Sequence, residues 1–430
     1  MSLDAEAPTR PAGRSDPGTL GSGPVSGPEP VRPTEAWGAL GSGRAPAVTA
    51  VQLWLVELPF LRPVQTAGGT HRSRPLVVVQ LLATLHGVPV EGWGECAALG
   101  DTSYHHEDVE RSFAALEGSL VPALLDQASV DGNRLPPPSG MDAVRGSAPG
   151  ASLAFAALEM AVADTHLRAG QRSLASLLGV EGQAVELGAV VGQLATIDAM
   201  VATVTSLVDD GVTRVKMKIG PGWDVDPVAA VVSAIPGLRL QVDANGSYAR
   251  SDSDHLADLD RFELLCLEQP FDRDDLEGHA RLAGRITTPI CLDESVDSPE
   301  SARRALAMGA CSVVCVKPAR LGGLGAALEL VETCAAARVP LWMGGMFESG
   351  YARGVNATVA ALPGFTWPGD LSPARWYLGD DLVPGLEPTR TGPDGGLVAA
   401  VPHGPGMGPA PDLGVLTRHM ARHRRFEVAR

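Results

Sequence analysis

The sequence predicts an α/β fold built around a parallel β-barrel, and the regular spacing of five charged residues is the main reason. Lys218, Asp243, Glu268, Asp293 and Lys317 follow one another at intervals of 25, 25, 25 and 24 residues. Each stands at the end of a short apolar run, and a turn and a helix-like segment come after it. A repeating strand–turn–helix unit is typical of a parallel barrel, whose active site lies at the carboxyl ends of the strands.

Composition excludes several function classes. The chain has 430 residues, enough for one large domain or two, and a net charge of −16, which argues against nucleic-acid and anionic membrane partners. No stretch reaches the ~18 uncharged apolar residues of a transmembrane helix. The N-terminus lacks the basic segment followed by an apolar segment that is typical of a signal peptide. Six cysteines without a CxxC pattern predict buried, free thiols. We therefore expect a cytoplasmic protein.

The first part of the chain predicts a disordered extension followed by a small sheet. Residues 1–46 are rich in Pro, Gly, Ser and Ala, which predicts disorder. Three β-rich runs follow, with a hairpin turn at His86-Gly87. The polar segment between the first two runs, PVQTAGGTHRSRP, predicts a mobile loop. The predicted strands are 48–60, 75–86 and 88–96.

Helices are predicted between this sheet and the barrel. The apolar spacing indicates a helix near 107–126 and more helix over 150–178, with a Pro/Gly-rich loop at 127–149 between them. The barrel pattern starts at 185 with VELGAVVG. Near the end of the chain, RHMARHRR predicts a short basic helix with a solvated face.

The three acids predict a metal site. Strand neighbours lie ~4.8 Å apart, so Asp243, Glu268 and Asp293 can converge from three successive strands. Carboxylates packed together repel one another unless a cation lies between them. Oxygen-only ligands favour Mg²⁺ over Zn²⁺, with Mn²⁺ as an alternative ion, and leave room for water and a substrate carboxylate. The competing interpretation is a set of solvated loop acids.

The lysines follow from counting strands. If Lys218 ends the second of eight strands, Lys317 ends the sixth, so their ammonium groups face each other across the metal. Lys216 points to the same inward face as Lys218, and its charge is expected to help Lys218 act as a base. Asn245 lies two residues after Asp243, and it is expected to support the metal ligands.

A metal that binds a carboxylate, with a lysine on each side, fits removal of the proton α to that carboxylate. The cation stabilises the enolate that develops, and a desolvated lysine takes the proton. This combination of a lysine base with Mg²⁺ is known from enolase-superfamily sites.

The sequence resembles the muconate-lactonizing subgroup of the enolase superfamily. The likeness narrows to the branch of o-succinylbenzoate synthases and N-acylamino acid (N-succinylamino acid) racemases, and it covers roughly residues 48–427. The short motifs that carry it are Lys216-Met217-Lys218, Asp243-Ala244-Asn245, Glu268-Gln269-Pro270, Asp293-Glu294-Ser295 and Lys317-Pro318. The longer stretches are GWGEC (92–96), KIGPGWDVDPV (218–228), VKPARLGGLG (316–325) and residues 344–370.

The resemblance implies a modified (β/α)7β TIM-like barrel with an α+β capping domain. The expected parts are a capping domain at 47–183, with a three-stranded sheet plus helices, a barrel at 184–372, and a C-terminal segment at 373–430 that packs back on the cap. A loop at about 64–74 is expected to close over the substrate. The branch is commonly oligomeric, so we expect a homo-oligomer.

The resemblance also implies roles for individual residues. Asp243, Glu268 and Asp293 would hold Mg²⁺, with Lys218 and Lys317 as acid/base residues. The residues expected to support the site or contact a small carboxylate substrate are Asn245, Glu294, Arg320, Gly345, Met346 and Glu348. Gly344-Gly345 stands where dipeptide epimerases of the superfamily carry an Asp-x-Asp pair, which argues against that activity.

Two enzyme activities remain open on this one site. As an o-succinylbenzoate synthase on the menaquinone pathway, the protein would dehydrate its substrate with Lys218 as base, while Lys317 stays cationic against the ring. As a racemase, it would use both lysines as bases on opposite faces. Arg320 resembles the arginine of racemising members, or it forms a salt bridge at the rim. The sequence favours the synthase; another cycloisomerase-type activity and an inactive binding barrel are the remaining alternatives.

Overall fold

The computed structural model of the chain describes residues 32–66, 69–383, 388–391 and 395–428. The strands are β1 (Ala47–Thr66), β2 (Gly69–Leu85), β3 (Val88–Cys96), β4 (Ala184–Glu186), β5 (Gly188–Val191), β6 (Arg214–Lys218), β7 (Arg239–Asp243), β8 (Leu267–Glu268), β9 (Ile290–Leu292), β10 (Val313–Val316), β11 (Leu341–Met343), β12 (Thr389–Thr391), β13 (Gly396–Ala400) and β14 (Met420–Glu427). The helices are α1 (Pro33–Ala39), α2 (Val109–Ala115), α3 (Val121–Val130), α4 (Asp142–Gly146), α5 (Ser152–Ala169), α6 (Leu174–Leu178), α7 (Ile197–Asp209), α8 (Val225–Ala234), α9 (Ser253–Ala257), α10 (Leu276–Ala283), α11 (Pro299–Ala307), α12 (Leu324–Ala337), α13 (Gly350–Ala360) and α14 (Leu413–Arg418).

The barrel consists of parallel strands β5 to β11, which neighbour one another in chain order. Residues 365–370 lie between the two edge strands and close the sheet. The Gly188 N–H donates to the Gly369 carbonyl at 2.7 Å, and the Asp370 N–H donates to the Met343 carbonyl at 2.7 Å. The predicted α/β barrel with an α+β cap is confirmed, and its closing segment is held by bridges to β5's entry and to β11.

The capping sheet has four strands in the order β14-β1-β2-β3 rather than the expected three. Its fourth strand is β14, so the prediction of a basic helix in RHMARHRR is wrong. The edge of β1 offers unpaired backbone groups, and β14 pairs with them from Ala50 to Val56. Trp54 of β1 contributes a ring contact, with its centroid 4.2 Å from that of His423. Pairing along an edge strand overrides the local charge pattern.

The first two cap strands extend further than the sequence predicts. β1 runs to Thr66 and β2 starts at Gly69, so most of the segment predicted as a mobile loop belongs to a long hairpin. The barrel side holds the base of this hairpin, because the Leu61 N–H donates to the Tyr377 carbonyl at 2.8 Å. The predicted turn at His86-Gly87 is confirmed, with positive φ at both residues.

The N-terminal prediction also needs correction. Residues 33–39 form α1, so disorder does not extend over the whole of 1–46; residues 1–31 lie outside the described part of the chain. The Trp37 side chain is 4% exposed, and the Thr34 N–H and hydroxyl donate to Glu332 of α12 at 2.9 and 2.7 Å. Composition alone missed this helix because one buried tryptophan anchors it.

Smaller differences concern the connecting segments. The predicted loop 127–149 contains the end of α3 and all of α4, whose Val144 is buried. Strands β12, β13 and β4 form a separate antiparallel sheet at the entry to the barrel. The six cysteines are free and buried, as predicted. Within the described residues, no helix is long and apolar enough to cross a membrane.

Candidate active site

The barrel brings the five regularly spaced residues to one rim. Lys218, Asp243 and Glu268 are the last residues of β6, β7 and β8, and they are register partners across the sheet. Asp293 and Lys317 directly follow β9 and β10. The equal spacing in the sequence thus corresponds to one layer of side chains at the carboxyl ends of neighbouring strands.

One side of this layer is formed by Lys218. Its Nζ lies 2.6 Å from Asp243 Oδ2 and 2.6 Å from Asn245 Oδ1. The Asn245 amide in turn donates to Glu294 Oε1 at 2.8 Å. Burial raises the pKa of Asp243, but the neighbouring lysine ammonium groups outweigh burial and lower it. Asn245 therefore links Lys218 to Glu294 through two hydrogen bonds.

Lys216 lies deeper in the barrel. Its side chain is 2% exposed, and its Nζ lies 3.1 Å from Asp243 Oδ2, 3.1 Å from Glu268 Oε2 and 3.0 Å from Asp370 Oδ2. Burial disfavours the ammonium, yet these carboxylates raise its pKa well above the ordinary value. Lys216 is therefore a fixed cation beneath the site. Asp370 was not predicted, because it belongs to the irregular segment that closes the barrel.

The opposite side is formed by Lys317. Its Nζ lies 2.8 Å from Asp293 Oδ2 and 2.8 Å from the Tyr104 hydroxyl. Arg320 also contacts Asp293, and its Nη1 donates to the Tyr104 hydroxyl at 2.7 Å. Arg320 is 2% exposed, and its pairing with Asp293 is a buried salt bridge. Tyr104 is a site residue that sequence reasoning missed, although it stands in the polar loop that follows β3.

The lysine content of the chain is a further signal for the site. The chain has three lysines, and all three are Lys216, Lys218 and Lys317. The structure brings all three to the candidate site, whereas arginine supplies the other permanently charged basic side chains of the protein. A lysine amine can lose its proton and act as a base. The guanidinium of arginine cannot be deprotonated in proteins.

The buried acids fit a hard divalent cation. Burial and repulsion from Asp243 outweigh the attraction of Lys216 and raise the pKa of Glu268 to about 8. Oxygens of Glu268 and Asp293 lie within 4.8 Å of each other and of the Cys315 sulfur. Burial raises the pKa of Cys315 well above its ordinary value, so the thiol stays protonated and is a poor ligand. The donors that remain in this group are the carboxylates of Glu268 and Asp293, and Mg²⁺ prefers such oxygen ligands.

The structure gives three other predicted residues different surroundings. Glu348 pairs with Arg353 and accepts from Asn356 Nδ2 at 3.1 Å, so it is tied to α13. Gly345 packs against the Asp370 backbone. The Met346 carbonyl accepts a hydrogen bond from Arg74 at 3.0 Å. These contacts join the loop after β11 to its neighbours and to the cap.

Arg74 was not predicted from the sequence. Its buried guanidinium donates to five backbone carbonyls, which belong to Pro75, Ala97, Ala98, Met346 and Phe347. Two of these lie in the barrel loop and three in the capping domain. Arg74 therefore holds the base of the long hairpin against the mouth of the barrel.

Comparison with known families gives two consecutive matches. Residues 199–414 match the enolase C-terminal domain-like family, and residues 50–179 match the mandelate racemase / muconate lactonizing enzyme N-terminal domain. A solved structure from Listeria innocua, described as a member of the enolase superfamily, superposes with a TM-score of 0.81 at 30% identity. That match covers 89% of this chain and 100% of the other.

Relatives with two different names are similar to this chain. An N-succinylamino acid racemase from an Amycolatopsis species is 40% identical over 85% of this chain and 95% of the relative. An o-succinylbenzoate synthase from Geobacillus kaustophilus is 36% identical over 82% of this chain and 90% of the relative. The chain therefore belongs to the enolase superfamily, in the branch that contains o-succinylbenzoate synthases and N-succinylamino acid racemases.

Proposed function

We propose that the protein removes the proton α to a substrate carboxylate with the help of Mg²⁺, and that its reaction is the racemisation of N-succinylamino acids. The observation that carries this proposal is the placement of Lys218 and Lys317 on opposite sides of one layer of carboxylates. A racemase needs one base for each face of the α-carbon. Two amines that flank a shared anchoring point supply that arrangement.

The residues of the candidate site have separate parts in this proposed reaction. Asp243, Glu268 and Asp293 would hold Mg²⁺, which would supply positive charge to stabilise the negative charge that develops on the substrate. Neutral Lys218 takes the α-proton from one enantiomer, and protonated Lys317 delivers a proton to the other face. The reverse reaction exchanges these two roles. Asn245 orients the Lys218 ammonium through its 2.6 Å hydrogen bond.

Two features favour racemisation over dehydration. Arg320 is buried beside Asp293 and Tyr104, next to Lys317, and it resembles the arginine of members that racemise N-succinylamino acids. Relatives named N-succinylamino acid racemase are 40% and 38% identical to this chain, compared with 36% for relatives named o-succinylbenzoate synthase. The sequence alone favoured the synthase, and these features support the other activity.

Dehydration to o-succinylbenzoate is the second candidate, and one observation favours it. Burial disfavours the Lys317 ammonium, but Asp293 and Tyr104 raise its pKa well above the ordinary value. A lysine that stays cationic suits the synthase, in which Lys218 alone performs the proton transfers. The same site could therefore support either reaction.

Proton exchange in deuterated water separates the two candidates. The wild-type protein is expected to exchange the α-proton of both enantiomers of an N-succinylamino acid. Lys218→Ala and Lys317→Ala should each abolish exchange of a different enantiomer. Exchange of both enantiomers at equal rates in Lys317→Ala would refute the two-base proposal. A kcat/KM for dehydration that far exceeds that for racemisation, and that survives in Lys317→Arg, would favour the synthase.

A further inference from the structure

The segment after Lys317 forms a tight loop that carries another site residue. We call residues 318–323, between Lys317 and α12, the Lys317 loop. The Leu321 N–H donates to the Lys317 carbonyl at 3.1 Å, and the Gly323 N–H donates to the Pro318 carbonyl at 2.9 Å. Arg320, which contacts Asp293, lies inside this loop. A shift of the loop would therefore move both cations that face Asp293.

Two capping-domain side chains hold the far end of the Lys317 loop. Glu159 of α5 is 2% exposed and accepts the Leu324 N–H at 2.6 Å, at the start of α12. Gly323 has a φ of 121°, and a side chain there would overlap the Glu159 carboxylate. Arg145 of α4 donates to the Gly322 carbonyl at 3.0 Å. Its guanidinium is stacked 4.3 Å above the Phe155 ring, which limits its freedom.

Helix α1 covers this junction. The Trp37 indole nitrogen would lie 3.1 Å from a side chain on Gly325, and a Glu159 oxygen would lie 3.2 Å from the same point. The indole and the carboxylate thus meet over the first turn of α12. Because water is excluded there, the hydrogen bond from Leu324 to Glu159 is stronger than one exposed to solvent.

The segment after Lys218 is held differently. The Ile219 N–H donates to the Asp243 carbonyl at 2.9 Å, and the Tyr248 hydroxyl donates to Asp224 at 2.7 Å. Both partners belong to the barrel. The two sides of the site therefore differ: barrel residues position Lys218, whereas capping residues contact the loop behind Lys317.

We propose that Glu159 and Arg145 are positioning residues that set the place of Lys317 and Arg320 relative to Asp293 from the capping domain. They act through the Lys317 loop and touch neither substrate nor metal. The expected effect of Glu159 and Arg145 on turnover rests on the proposed two-base function. Their expected effect on the geometry of the site does not depend on that function.

A spectroscopic experiment tests the geometric part. Because the chain has three lysines, a protein labelled with ¹³C at lysine Cε gives three side-chain resonances, which single substitutions assign. Glu159→Ala and Arg145→Ala should shift or broaden the Lys317 resonance and leave that of Lys218 in place. Glu159→Gln keeps an acceptor oxygen for the Leu324 N–H and should restore the wild-type spectrum.

The matched control is Asp164→Asn. Asp164 is also buried on α5, but it accepts from the Trp93 and Met407 backbone and not from the Lys317 loop. It should leave the Lys317 resonance unchanged. Equal shifts of the Lys218 and Lys317 resonances in folded Arg145→Ala, or no shift in either, would overturn the inference. Arg145 is exposed, so this variant is expected to fold even if Glu159→Ala does not.

Proton exchange tests the functional part. In Glu159→Ala, exchange of the enantiomer served by Lys317 should fall about tenfold or more, because small displacements of a catalytic group cost that much. Exchange of the enantiomer served by Lys218 should stay within about twofold. An equal loss for both enantiomers would refute selective positioning. If the wild-type protein exchanges neither enantiomer, the proposed racemisation is refuted, and the lysine spectra alone decide the inference.

Discussion

The ammonium of Lys216 in β6 lies 3.0 Å from the carboxylate of Asp370 in the closing segment of the barrel. Asp370 also accepts Arg214 Nη1 at 2.7 Å, and all three side chains are buried. One carboxylate therefore serves two buried cations. It links barrel closure to the charge beneath the candidate metal site.

Removal of this carboxylate should destabilise the fold. Asp370→Ala leaves Lys216 and Arg214 with a missing partner, and the free energy of unfolding should fall by about 3–5 kcal/mol. Urea denaturation measures this. Asp297→Ala, which removes an exposed partner of Arg273, should cost less than about 1 kcal/mol. A similar cost for both variants would contradict the importance assigned to Asp370.

The same carboxylate predicts a dependence of stability on pH. Burial opposes ionisation of Asp370, but Lys216 and Arg214 lower its pKa to about 2. A carboxyl with a lowered pKa stabilises the fold above its unfolded pKa of about 4, and this contribution is lost as the pH falls towards 2. The stability difference between wild type and Asp370→Ala should therefore shrink over that interval. A constant difference would show that the ionised Asp370 carboxylate beside Lys216 and Arg214 does not account for its contribution to stability.

Lys216 and Lys317 can be followed individually during a pH titration. In the metal-free protein, neighbouring carboxylates raise the pKa of Lys216 and Lys317 well above 10.5 in spite of burial. The ¹³Cε resonances of both should therefore keep their protonated positions when the pH passes 10.5. Titration of Lys317 below that value in the absence of metal would show that Asp293 does not compensate its burial.

Mg²⁺ binding should release protons. Burial and Asp243 raise the pKa of Glu268 to about 8, so this carboxyl is protonated at neutral pH when no metal is bound. A metal ligand must be ionised, so apparent affinity should rise with pH and level off above about 8. Calorimetry in buffers of different ionisation enthalpy measures the protons released. Glu268→Gln should bind Mg²⁺ weakly and without this dependence, whereas the exposed control Glu300→Gln should behave as wild type.

Helix α1 should contribute to stability although it precedes the family match. Trp37→Ala removes a side chain that is 4% exposed and should cost about 3–5 kcal/mol. Val130→Ala, at a side chain that is 88% exposed, serves as the control and should have little effect. Equal thermal stability of Trp37→Ala and wild type would show that α1 docks without stabilising the fold.

The barrel rim was predictable because one strand–helix unit repeats at a nearly constant length. That regularity assigns Lys218, Asp243 and Glu268 to strand ends without any knowledge of packing. Asp370 and Tyr104 follow no repeat: they lie in irregular segments, and the fold alone brings them to the site. No pattern in the sequence marks them as site residues.

Local patterns failed where a distant partner decides the structure. The charge pattern of RHMARHRR predicts a helix, but the open edge of β1 makes it a strand. Composition predicts disorder up to residue 46, but the buried Trp37 indole lies beside Gly325 of α12. In both cases the contact lies hundreds of residues away, and no window of the sequence contains it.

The pairing of β14 with β1 has a consequence for how the protein is made. The first strand of the capping sheet leaves the ribosome several hundred residues before its partner at Met420–Glu427 does. One edge of the nascent sheet thus stays open while the whole barrel is being synthesised, and open edges invite wrong pairing. Stop codons or tags placed shortly before residue 420 should therefore reduce soluble yield, even though every residue at the barrel rim would still be present.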